Sequence, residues 1–209
     1  MTNRSVITGK PRRPEERPAE ILAAALELFA EKGFSATRMD EVAARAGLSK
    51  AGVYLYFKDK TALLKALVNE MAGANISVAR GIVEAHEGPV SPLVATILAF
   101  LAGQVRHTRF PELIKIVISE SRAHPEVGQL YLDGVVRQGL PLFEGLIRRG
   151  IASGEFRNVD PSFAAKAMLG PMLLAVIWKT VLEPIGAEAL DIEAYAAQHA
   201  QIFLKGIQS

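Results

Sequence analysis

The chain has 209 residues, of which half are hydrophobic and 22% are charged, with 24 Lys and Arg against 22 Asp and Glu. This length fits one domain or two small ones, and the composition excludes a chain that is disordered throughout. The sequence contains no cysteine, which excludes disulfides, thiolate zinc sites and cysteine nucleophiles. The absence of cysteine is also typical of a protein from a reducing cytoplasm.

Neither a membrane span nor a secretory signal is expected. The longest apolar run, Ala167 to Trp178, is interrupted by Gly170 and Pro171, whereas a spanning helix needs about 20 apolar residues. The N-terminus is polar and basic up to Pro18 and lacks the apolar stretch of a signal peptide. These features favour a cytoplasmic protein without a membrane partner.

The small net charge of +2 is unevenly distributed. Residues 1–60 hold 11 Lys or Arg and 8 Asp or Glu, a balance of +3, whereas residues 61–209 hold 13 and 14, a balance of −1. A basic N-terminal quarter favours a polyanionic partner on that side. Residues 1–14 carry four of these cations among Pro, Thr, Asn and Gly, and we interpret them as a flexible basic arm.

Apolar residues recur at helical spacing along most of the chain, and sustained two-residue alternation is absent. The sequence therefore predicts an all-α fold without strands. Capping residues and Pro mark the helix starts, and Gly marks several stops. The nine predicted helices span about 21–33, 37–46, 50–57, 60–86, 92–107, 111–123, 125–153, 161–182 with a kink at Pro171, and 192–205.

The stretch from Met39 to Tyr56 is predicted to form a helix-turn-helix. Ala43 is small where two helices would cross closely, and Gly47 lies four residues later, where the chain must turn with positive φ. Helices of about two turns are marginal in water, so packing must hold them. The inward apolar residues are Val42, Ala46, Leu48 and Val53.

The third helix would then face solvent, and a helix of this size fits the major groove of DNA. Ala51 and Gly52 have almost no side chain, so the backbone can approach another surface closely. Basic and hydroxyl side chains and the free N–H groups at a helix start can bind phosphate. The predicted DNA-binding residues are Thr37, Arg38, Ser49, Lys50, Ala51, Gly52, Tyr54, Tyr56 and Lys60. The alternative is that this segment is only a tight turn between packed helices.

Several segments resemble the TetR family of bacterial transcriptional regulators, and Tyr54 to Lys60 is the most specific of them. The segments that resemble its N-terminal domain are 21–34 (ILAAALELFAEKGF), 37–47 (TRMDEVAARAG) and 48–64 (LSKAGVYLYFKDKTALL). Two further segments are similar to the C-terminal domains of AcrR-like members: 110–113 (FPEL) and 150–160 (GIASGEFRNVD).

The resemblance implies a homodimer that binds palindromic operator DNA as a repressor and is released by a small ligand. It implies a phosphate contact at Lys60 and DNA contacts at Ser49, Lys50, Ala51, Gly52, Tyr54 and Tyr56. Gly52 departs from the Thr or Ser that is commoner in the family, which leaves open which bases are contacted there. We divide the chain into the arm at 1–14, a DNA-binding domain at 15–60 and a ligand-binding and dimerisation domain at 61–209.

The C-terminal domain shows no sign of catalysis. The HExxH, P-loop and GxGxxG motifs are absent, and none of the four histidines has Glu three residues before it. The sequence therefore predicts no enzyme, no metal site and no cofactor. Two other protein classes remain as rivals: a DNA-binding protein of this fold that recruits or blocks a protein without an inducer, and an enzyme on a helical scaffold.

Bulky aromatic residues and flexible methionines on the C-terminal helices are predicted to line an apolar pocket. The predicted lining residues are Phe100, Phe110, Tyr131, Phe143, Met168, Met172 and Trp178, with His107, Glu120 and Arg122 as polar anchors. The alternative is that they form ordinary core. By family analogy the inducer would be small and lipophilic.

The helices from Pro161 and from Asp191 are apolar on more than one side, which requires a second packing partner. We expect two such helices from each chain to form a four-helix dimer interface. A two-fold dimer would place two recognition helices about 34–36 Å apart, one turn of DNA, over a pseudo-palindrome.

Overall fold

A computed structural model describes residues 16–209, so the arm predicted at 1–14 lies outside the described residues. The described chain is helical and contains no β-strand, only one isolated bridge between Phe156 and Gln208. The predicted all-α fold is therefore confirmed for this part of the chain. The α-helices are α1 (Arg17–Ala36), α2 (Met39–Arg45), α3 (Lys50–Tyr54), α4 (Lys60–Ala85), α5 (Val90–His107), α6 (Phe110–Glu120), α7 (Pro125–Tyr131), α8 (Arg137–Ala152), α9 (Pro161–Ile177) and α10 (Ile192–Ile207).

Two helices contain π-helical turns that the sequence did not predict. A π-helical segment at Leu132–Val136 joins α7 to α8 without a break, so together they form the single helix predicted from Pro125. A second π-helical segment, Trp178–Leu182, extends α9 and is followed by a 3₁₀ turn at Glu183–Ile185. When each π-helical segment is counted as part of the helix that it continues, residues 16–209 contain the nine predicted helices. Spacing of apolar residues does not distinguish a π turn from an α turn, which explains the difference.

The start of α2 differs from the prediction that Thr37 opens and caps this helix. Thr37 has extended backbone dihedrals and follows α1, and Arg38 is the residue that precedes α2. The Thr37 hydroxyl donates to the carbonyl oxygens of Gly33, at 2.8 Å, and Leu28, at 3.3 Å, so it does not cap α2. Glu41 instead accepts a hydrogen bond from the Arg38 N–H at 2.8 Å.

The buried apolar side chains form two clusters that share α6. The N-terminal cluster joins α1, α2, α3 and the first half of α4, and it includes Leu113, Ile116 and Val117 of α6. The C-terminal cluster joins α5, α8, α9 and α10, and it includes Ile114 of α6. Each fully buried Leu, Ile or Val contributes about 1.5–3 kcal/mol. Because α6 contributes side chains to both clusters, it packs against both halves of the described chain and connects them.

Charged side chains from distant parts of the sequence cap both ends of α5. The Lys179 ammonium donates to the carbonyl oxygens of Val105, at 3.0 Å, and Arg106, at 2.8 Å, at the C-terminal end. The Glu155 carboxylate accepts from the backbone N–H groups of Val90, at 2.7 Å, and Ser91, at 2.9 Å, at the N-terminal end. Both charges suit the dipole of the helix.

Two helices are long and apolar enough to cross a membrane by length and composition alone, namely Val90–His107 and Pro161–Ile185. The sequence predicted no membrane span, because Gly and Pro interrupt the apolar runs. Hydropathy averaged over 18 residues is high enough despite these interruptions. Both helices contribute side chains to the C-terminal cluster, and core helices of soluble proteins commonly pass such a test.

Candidate DNA-binding surface and effector cavity

The helix α3 has one side chain fixed in the core and a free face in solvent. Ser49 precedes it, and its hydroxyl oxygen accepts a hydrogen bond from the Gly52 N–H at 3.1 Å. Val53 is completely buried, while Tyr54 and Tyr56 are 44% and 42% exposed. The cap and the buried valine orient a helix that is too short to persist alone.

Most of the predicted DNA-binding residues lie on the accessible surface around α3. The exposed ones are Arg38, Ser49, Lys50, Ala51, Tyr54 and Tyr56, with Gly52 half-buried among them. The sequence analysis missed Leu55, which is 85% exposed although it is a large apolar residue. Its exposure could have been predicted from its position, because Leu55 lies between the two tyrosines and two residues after the buried Val53. That these residues contact DNA stays a prediction.

Asp40 forms ion pairs with one cation at the start of α2 and with another at the start of α3. Its carboxylate oxygens lie 3.3 Å from Nη2 of Arg38 and 3.4 Å from Nζ of Lys50. The pKa of Asp40 lies below its ordinary value, first because its own backbone N–H donates to the carboxylate and then because of Lys50 and Arg38. Exposed ion pairs of this kind are weak. Both cations can therefore exchange this carboxylate for a phosphate.

Thr37 was predicted as a DNA-binding residue at a helix start whose free N–H groups attract phosphate, and this backbone contact stays a prediction. The side chain is buried and is the only polar one in the described chain that belongs to the core. Its hydroxyl proton is directed at the carbonyl oxygens of α1 rather than at solvent. The residue closes α1, so a side-chain contact with phosphate is inconsistent with this conformation.

The structure also gives Lys60 a role inside the protein. Its ammonium donates to the carbonyl oxygens of Phe34, at 2.8 Å, Ser35, at 2.8 Å, and Thr37, at 3.3 Å, and lies 4.8 Å from the centre of the Phe34 ring. These contacts occupy all three ammonium protons. Lys60 therefore caps the end of α1 in this structure, and its contact with phosphate stays a prediction.

Replacing Lys60 with methionine is expected to lower the free energy of unfolding by about 1–2 kcal/mol, because three carbonyl groups lose a charged donor. Urea denaturation measures this change. The control is Lys58→Met, since Lys58 is highly exposed and has only a 4.0 Å pair with Asp59. Unchanged stability, together with a salt slope of DNA binding lowered by about one unit, would instead assign Lys60 to phosphate.

A cavity of about 710 Å³ lies among α4, α5, α6, α7, α8 and α9. This volume is within the usual range for sites that bind small molecules. Five of the predicted ligand-binding residues line it: Phe100, Phe110, Tyr131, Phe143 and Met172. The π-helical segment Leu132–Val136 also contributes to the wall. Ligand binding by these residues stays a proposal.

Three predicted ligand-binding residues lie away from the cavity wall. His107 is exposed, with Nε2 3.5 Å from a carboxylate oxygen of Glu193. The Trp178 indole donates to the carbonyl oxygen of Glu188 at 2.8 Å. Met168 is fully buried in the C-terminal cluster without lining the cavity. The apolar side chain of Met168 correctly indicated that this residue is buried. It could not indicate which side of α9 faces the cavity.

Glu120 and Arg122 are not cavity anchors either. Arg122 is exposed and does not line the cavity. Glu120 lies against the end of α1, where it accepts hydrogen bonds from the Phe34 N–H at 3.1 Å and the Ser35 hydroxyl at 2.9 Å. Nε2 of His124 lies 2.7 Å from the same Ser35 hydroxyl oxygen. We call this cluster of Phe34, Ser35, Glu120 and His124 the α1–α6 junction.

The junction requires glycine at position 33. Gly33 has φ of +86°, and a Cβ atom placed there would lie 2.6 Å from Oε1 of Glu120. A side chain at this position would be strained and would push the carboxylate away from the Phe34 N–H. The sequence predicted Gly33 as the end of the first helix, and the structure adds the close approach of Glu120.

Polar residues on the cavity wall were also missed by the sequence analysis. Asn75 and Gln104 both line the cavity. Asn75 follows the buried Ala72 by three residues, and Gln104 precedes the buried Val105. A polar residue on the apolar stripe of a helix was the signal that could have indicated them.

One apolar face of the described chain has no intramolecular partner. On α9 the exposed residues Phe163, Ala167, Gly170 and Leu174 recur every three or four positions. Ile202 of α10 is also exposed. A helix with this spacing presents a continuous apolar stripe, which is typical of a surface that packs against another helix.

The chain matches two family models. The first, bacterial regulatory proteins of the tetR family, matches residues 21–67. The second, the tetracyclin repressor-like C-terminal domain, matches residues 93–191. The first match contains α2 and α3, and the second contains most of the residues that line the cavity.

Curated relatives and solved structures agree with these matches. The uncharacterized HTH-type transcriptional regulator YfiR of Bacillus subtilis is 29% identical over 150 residues, which cover 70% of this chain and 71% of that protein. The HTH-type transcriptional repressor KstR2 of Mycolicibacterium smegmatis is 22% identical over 200 residues, covering 94% and 93%. The structure of FadR from Bacillus subtilis in complex with stearoyl-CoA has the same fold, with a TM-score of 0.76, 21% identity and coverage of 91% and 99%.

Both halves of the chain therefore match models of the same protein family. The N-terminal model covers the helix-turn-helix, and the relatives align beyond it into the helices that enclose the cavity. From these matches and the all-α fold, we conclude that the chain belongs to the TetR family of bacterial regulatory proteins, which are helix-turn-helix transcriptional regulators.

Proposed function

We propose that this protein is a ligand-responsive repressor that binds palindromic operator DNA as a homodimer and is released by a small lipophilic effector. The observation that carries the proposal is the position of α4 and α6. Both helices line the cavity, and both also pack in the N-terminal cluster that holds α3. A ligand that favours a different arrangement of these helices would change the spacing of the recognition helices.

The DNA contact is proposed for the free face of α3. Ala51 and Gly52 allow the backbone close to base edges, and the hydroxyls of Tyr54 and Tyr56 can bind phosphate oxygens. Leu55 adds an exposed apolar side chain that can contact the methyl group of thymine. Arg38 and Lys50 lie beside this face and supply positive charge.

The homodimer is proposed to form through the exposed stripe of α9 together with α10. Burying Phe163, Leu174 and Ile202 against a second copy would remove apolar side chains from water. A two-fold interface brings the same stripe of both subunits together, as expected for most homodimers. Light scattering should therefore give about 45 kDa, twice the chain mass of 22.6 kDa. A mass near 23 kDa at micromolar concentration would contradict the dimer.

The lipophilic effector is proposed from the walls of the cavity and from the relatives. Most of the lining side chains are apolar, as in pockets for small molecules. Two solved structures of the same fold concern lipids: FadR of Bacillus subtilis in complex with stearoyl-CoA, and the ketosteroid transcriptional regulator KstR2 of Mycobacterium tuberculosis. An effector needs only about 1–3 kcal/mol of coupling to change operator affinity 5- to 150-fold.

The proposal is tested with fluorescently labelled DNA that flanks the protein's own gene. Fluorescence anisotropy should show tight, salt-dependent binding, which lipophilic compounds reverse. Tyr54→Ala removes an exposed ring without touching the core, and we expect this variant to lose operator binding while remaining dimeric. Operator binding that no compound reverses would favour the rival, a regulator that acts through a protein partner.

Filling the cavity should abolish the response to effector and leave operator binding intact. Gly139 lines the cavity, and a Cβ atom there would meet only Ile76, at 3.9 Å. We expect Gly139→Leu to bind the operator within about twofold of wild type but to need at least tenfold more effector for release. The measurement is anisotropy with increasing effector.

The matched control for this variant is Gly145→Leu. Gly145 lies on the same helix, α8, but is exposed, and a Cβ atom placed there would meet no other atom of the described chain within 4 Å. This variant should respond to effector like wild type. An unchanged response in Gly139→Leu would show that the effector binds outside the cavity.

A further inference from the structure

The cavity wall has no acidic side chain. Among the residues that line it in the described part of the chain, the polar ones are Asn75, Gln104, Ser121, Tyr131 and Lys166. A cation moved from water into an apolar space without a carboxylate partner loses solvation free energy that nothing in the space replaces. The composition of the wall therefore disfavours ligands that place a positive charge inside.

Lys166 is the only charged residue that lines the cavity in the described part of the chain, and its side chain is exposed. It lies on the solvent-exposed side of α9, where its ammonium donates to the Ser162 hydroxyl at 2.7 Å. The same ammonium lies 5.6 Å from the centre of the Phe163 ring. A carboxylate buried among the aromatic side chains would consequently have no cation beside it. The wall disfavours a buried anion as well as a buried cation.

The interior instead offers neutral hydrogen-bonding groups without protein partners. The Tyr131 hydroxyl makes no hydrogen bond within residues 16–209, and burial raises the pKa of this phenol to about 12. The side-chain amides of Asn75 and Gln104 likewise have no partner in the described structure. The Ser121 hydroxyl, in contrast, already donates to the carbonyl oxygen of Val117.

Polar groups in a largely apolar space are normally hydrogen-bonded, so a ligand that pairs with one of them is favoured. We propose that the effector is an uncharged lipophilic molecule with a ketone or hydroxyl oxygen, and that the Tyr131 hydroxyl is the group that selects this oxygen. The inference rests on the proposed function, because it names the ligand class of the same cavity. The tyrosine proton donates to the ligand oxygen, and the apolar walls cover the rest of the molecule.

The test compares ligands that share one chain and differ in charge. The neutral fluorophore N-phenyl-1-naphthylamine is bound to the full-length protein and displaced by dodecan-2-one, dodecan-1-ol, dodecanoate or dodecyltrimethylammonium. The ketone and the alcohol are used below their solubility limits, and the two ionic compounds below their critical micellar concentrations. We expect the ketone and the alcohol to displace the fluorophore at concentrations at least tenfold lower than the ammonium compound. Dodecanoate should be weaker than the alcohol.

Tyr131→Phe keeps the ring and removes only the hydroxyl. We expect this variant to bind the ketone and the alcohol about three- to tenfold more weakly, with unchanged affinity for the fluorophore. The inference is overturned if the ammonium compound binds as tightly as the alcohol, or if Tyr131→Phe leaves all affinities unchanged. A third result would also overturn the inference: dodecanoate binds most tightly of the four compounds, and Lys166→Gln removes this higher affinity. The ligand would then carry an anionic head group at the rim of the cavity.

The failure of the inference can be separated from the failure of the proposed function. Loss of fluorophore binding in Gly139→Leu assigns the probe to the cavity. Anisotropy with operator DNA then measures release by the same four compounds. Binding with the expected preference but without release would contradict the proposed function alone. Release by the ammonium compound at the same concentration as by the alcohol would contradict the inference alone.

Discussion

Replacing Gly47 with valine is expected to destabilise the protein by about 2–3 kcal/mol and to abolish operator binding. Gly47 has φ of +67°, a left-handed conformation that is strained for a β-branched residue. It lies in the turn between α2 and α3, where its N–H donates to the Ala44 carbonyl oxygen at 3.1 Å and the Leu48 N–H donates to Ala43 at 2.9 Å. Relief of the strain must move α3 relative to α2.

The control for this variant is Gly88→Val. Gly88 has φ of +103°, is exposed and lies between α4 and α5, far along the chain from the helix-turn-helix. Both variants should lose stability in urea denaturation. At a temperature where both are folded, only Gly47→Val should fail to bind operator DNA in the anisotropy assay. Normal operator affinity in Gly47→Val would contradict the role of this turn in positioning α3.

Helix starts were predicted well because capping depends on residues that are close in sequence. Asp59 precedes α4 and accepts from the Ala62 N–H at 2.7 Å, and Asp191 precedes α10 and accepts from the Ala194 N–H at 3.0 Å. Asp160 caps α9 in the same way. A short polar side chain before an apolar helix was sufficient to predict each start, and most of the fold follows from these local signals.

Contacts between distant residues could not be predicted from one sequence. Lys60 meets the carbonyl oxygen of Phe34 across 26 positions, and Glu120 meets the Phe34 N–H across 86. No periodicity or spacing relates such residues. The family resemblance suggested a phosphate contact for Lys60, whereas the structure shows the side chain bonded within the protein. Charged residues at predicted helix ends therefore needed the structure before a role could be assigned.

The cavity was predicted only in part for a related reason. Met168 and Met172 lie one turn apart on α9 and are both buried, yet only Met172 lines the cavity. Amino-acid type and helical spacing indicate which face of a helix is inward. They do not indicate where neighbouring helices separate enough to leave a space, because that depends on the packing of six helices together.

The α1–α6 junction provides the route by which the cavity can influence the DNA-binding surface. Along α6, Phe110, Ile114 and Val117 line the cavity. The same helix contacts α1 near both ends, through Glu120 and through Arg109, whose Nη1 lies 3.7 Å from a carboxylate oxygen of Glu27. A shift of α6 that a ligand favours would consequently be transmitted to α1 and to the helices packed on it.

Replacing Glu120 with alanine is expected to weaken this coupling. The variant should still bind effector, because Glu120 does not line the cavity. It should lose the hydrogen bonds to Phe34 and Ser35, which leaves one backbone N–H without its acceptor and lowers the free energy of unfolding by about 1–2 kcal/mol. We expect the ratio of operator affinities without and with effector to fall at least fivefold.

The measurement is a thermodynamic cycle in which operator affinity is determined with and without saturating effector, because coupling is a difference between binding free energies. Lys115→Ala is the matched control, since Lys115 lies exposed on the same helix, does not line the cavity, and its side chain makes no hydrogen bond or ion pair within residues 16–209. Glu120→Gln keeps an acceptor for the Phe34 N–H and should retain most of the coupling. An unchanged affinity ratio in Glu120→Ala would show that the ligand acts on α3 through α4 alone, which is the other helix shared by the cavity and the N-terminal cluster.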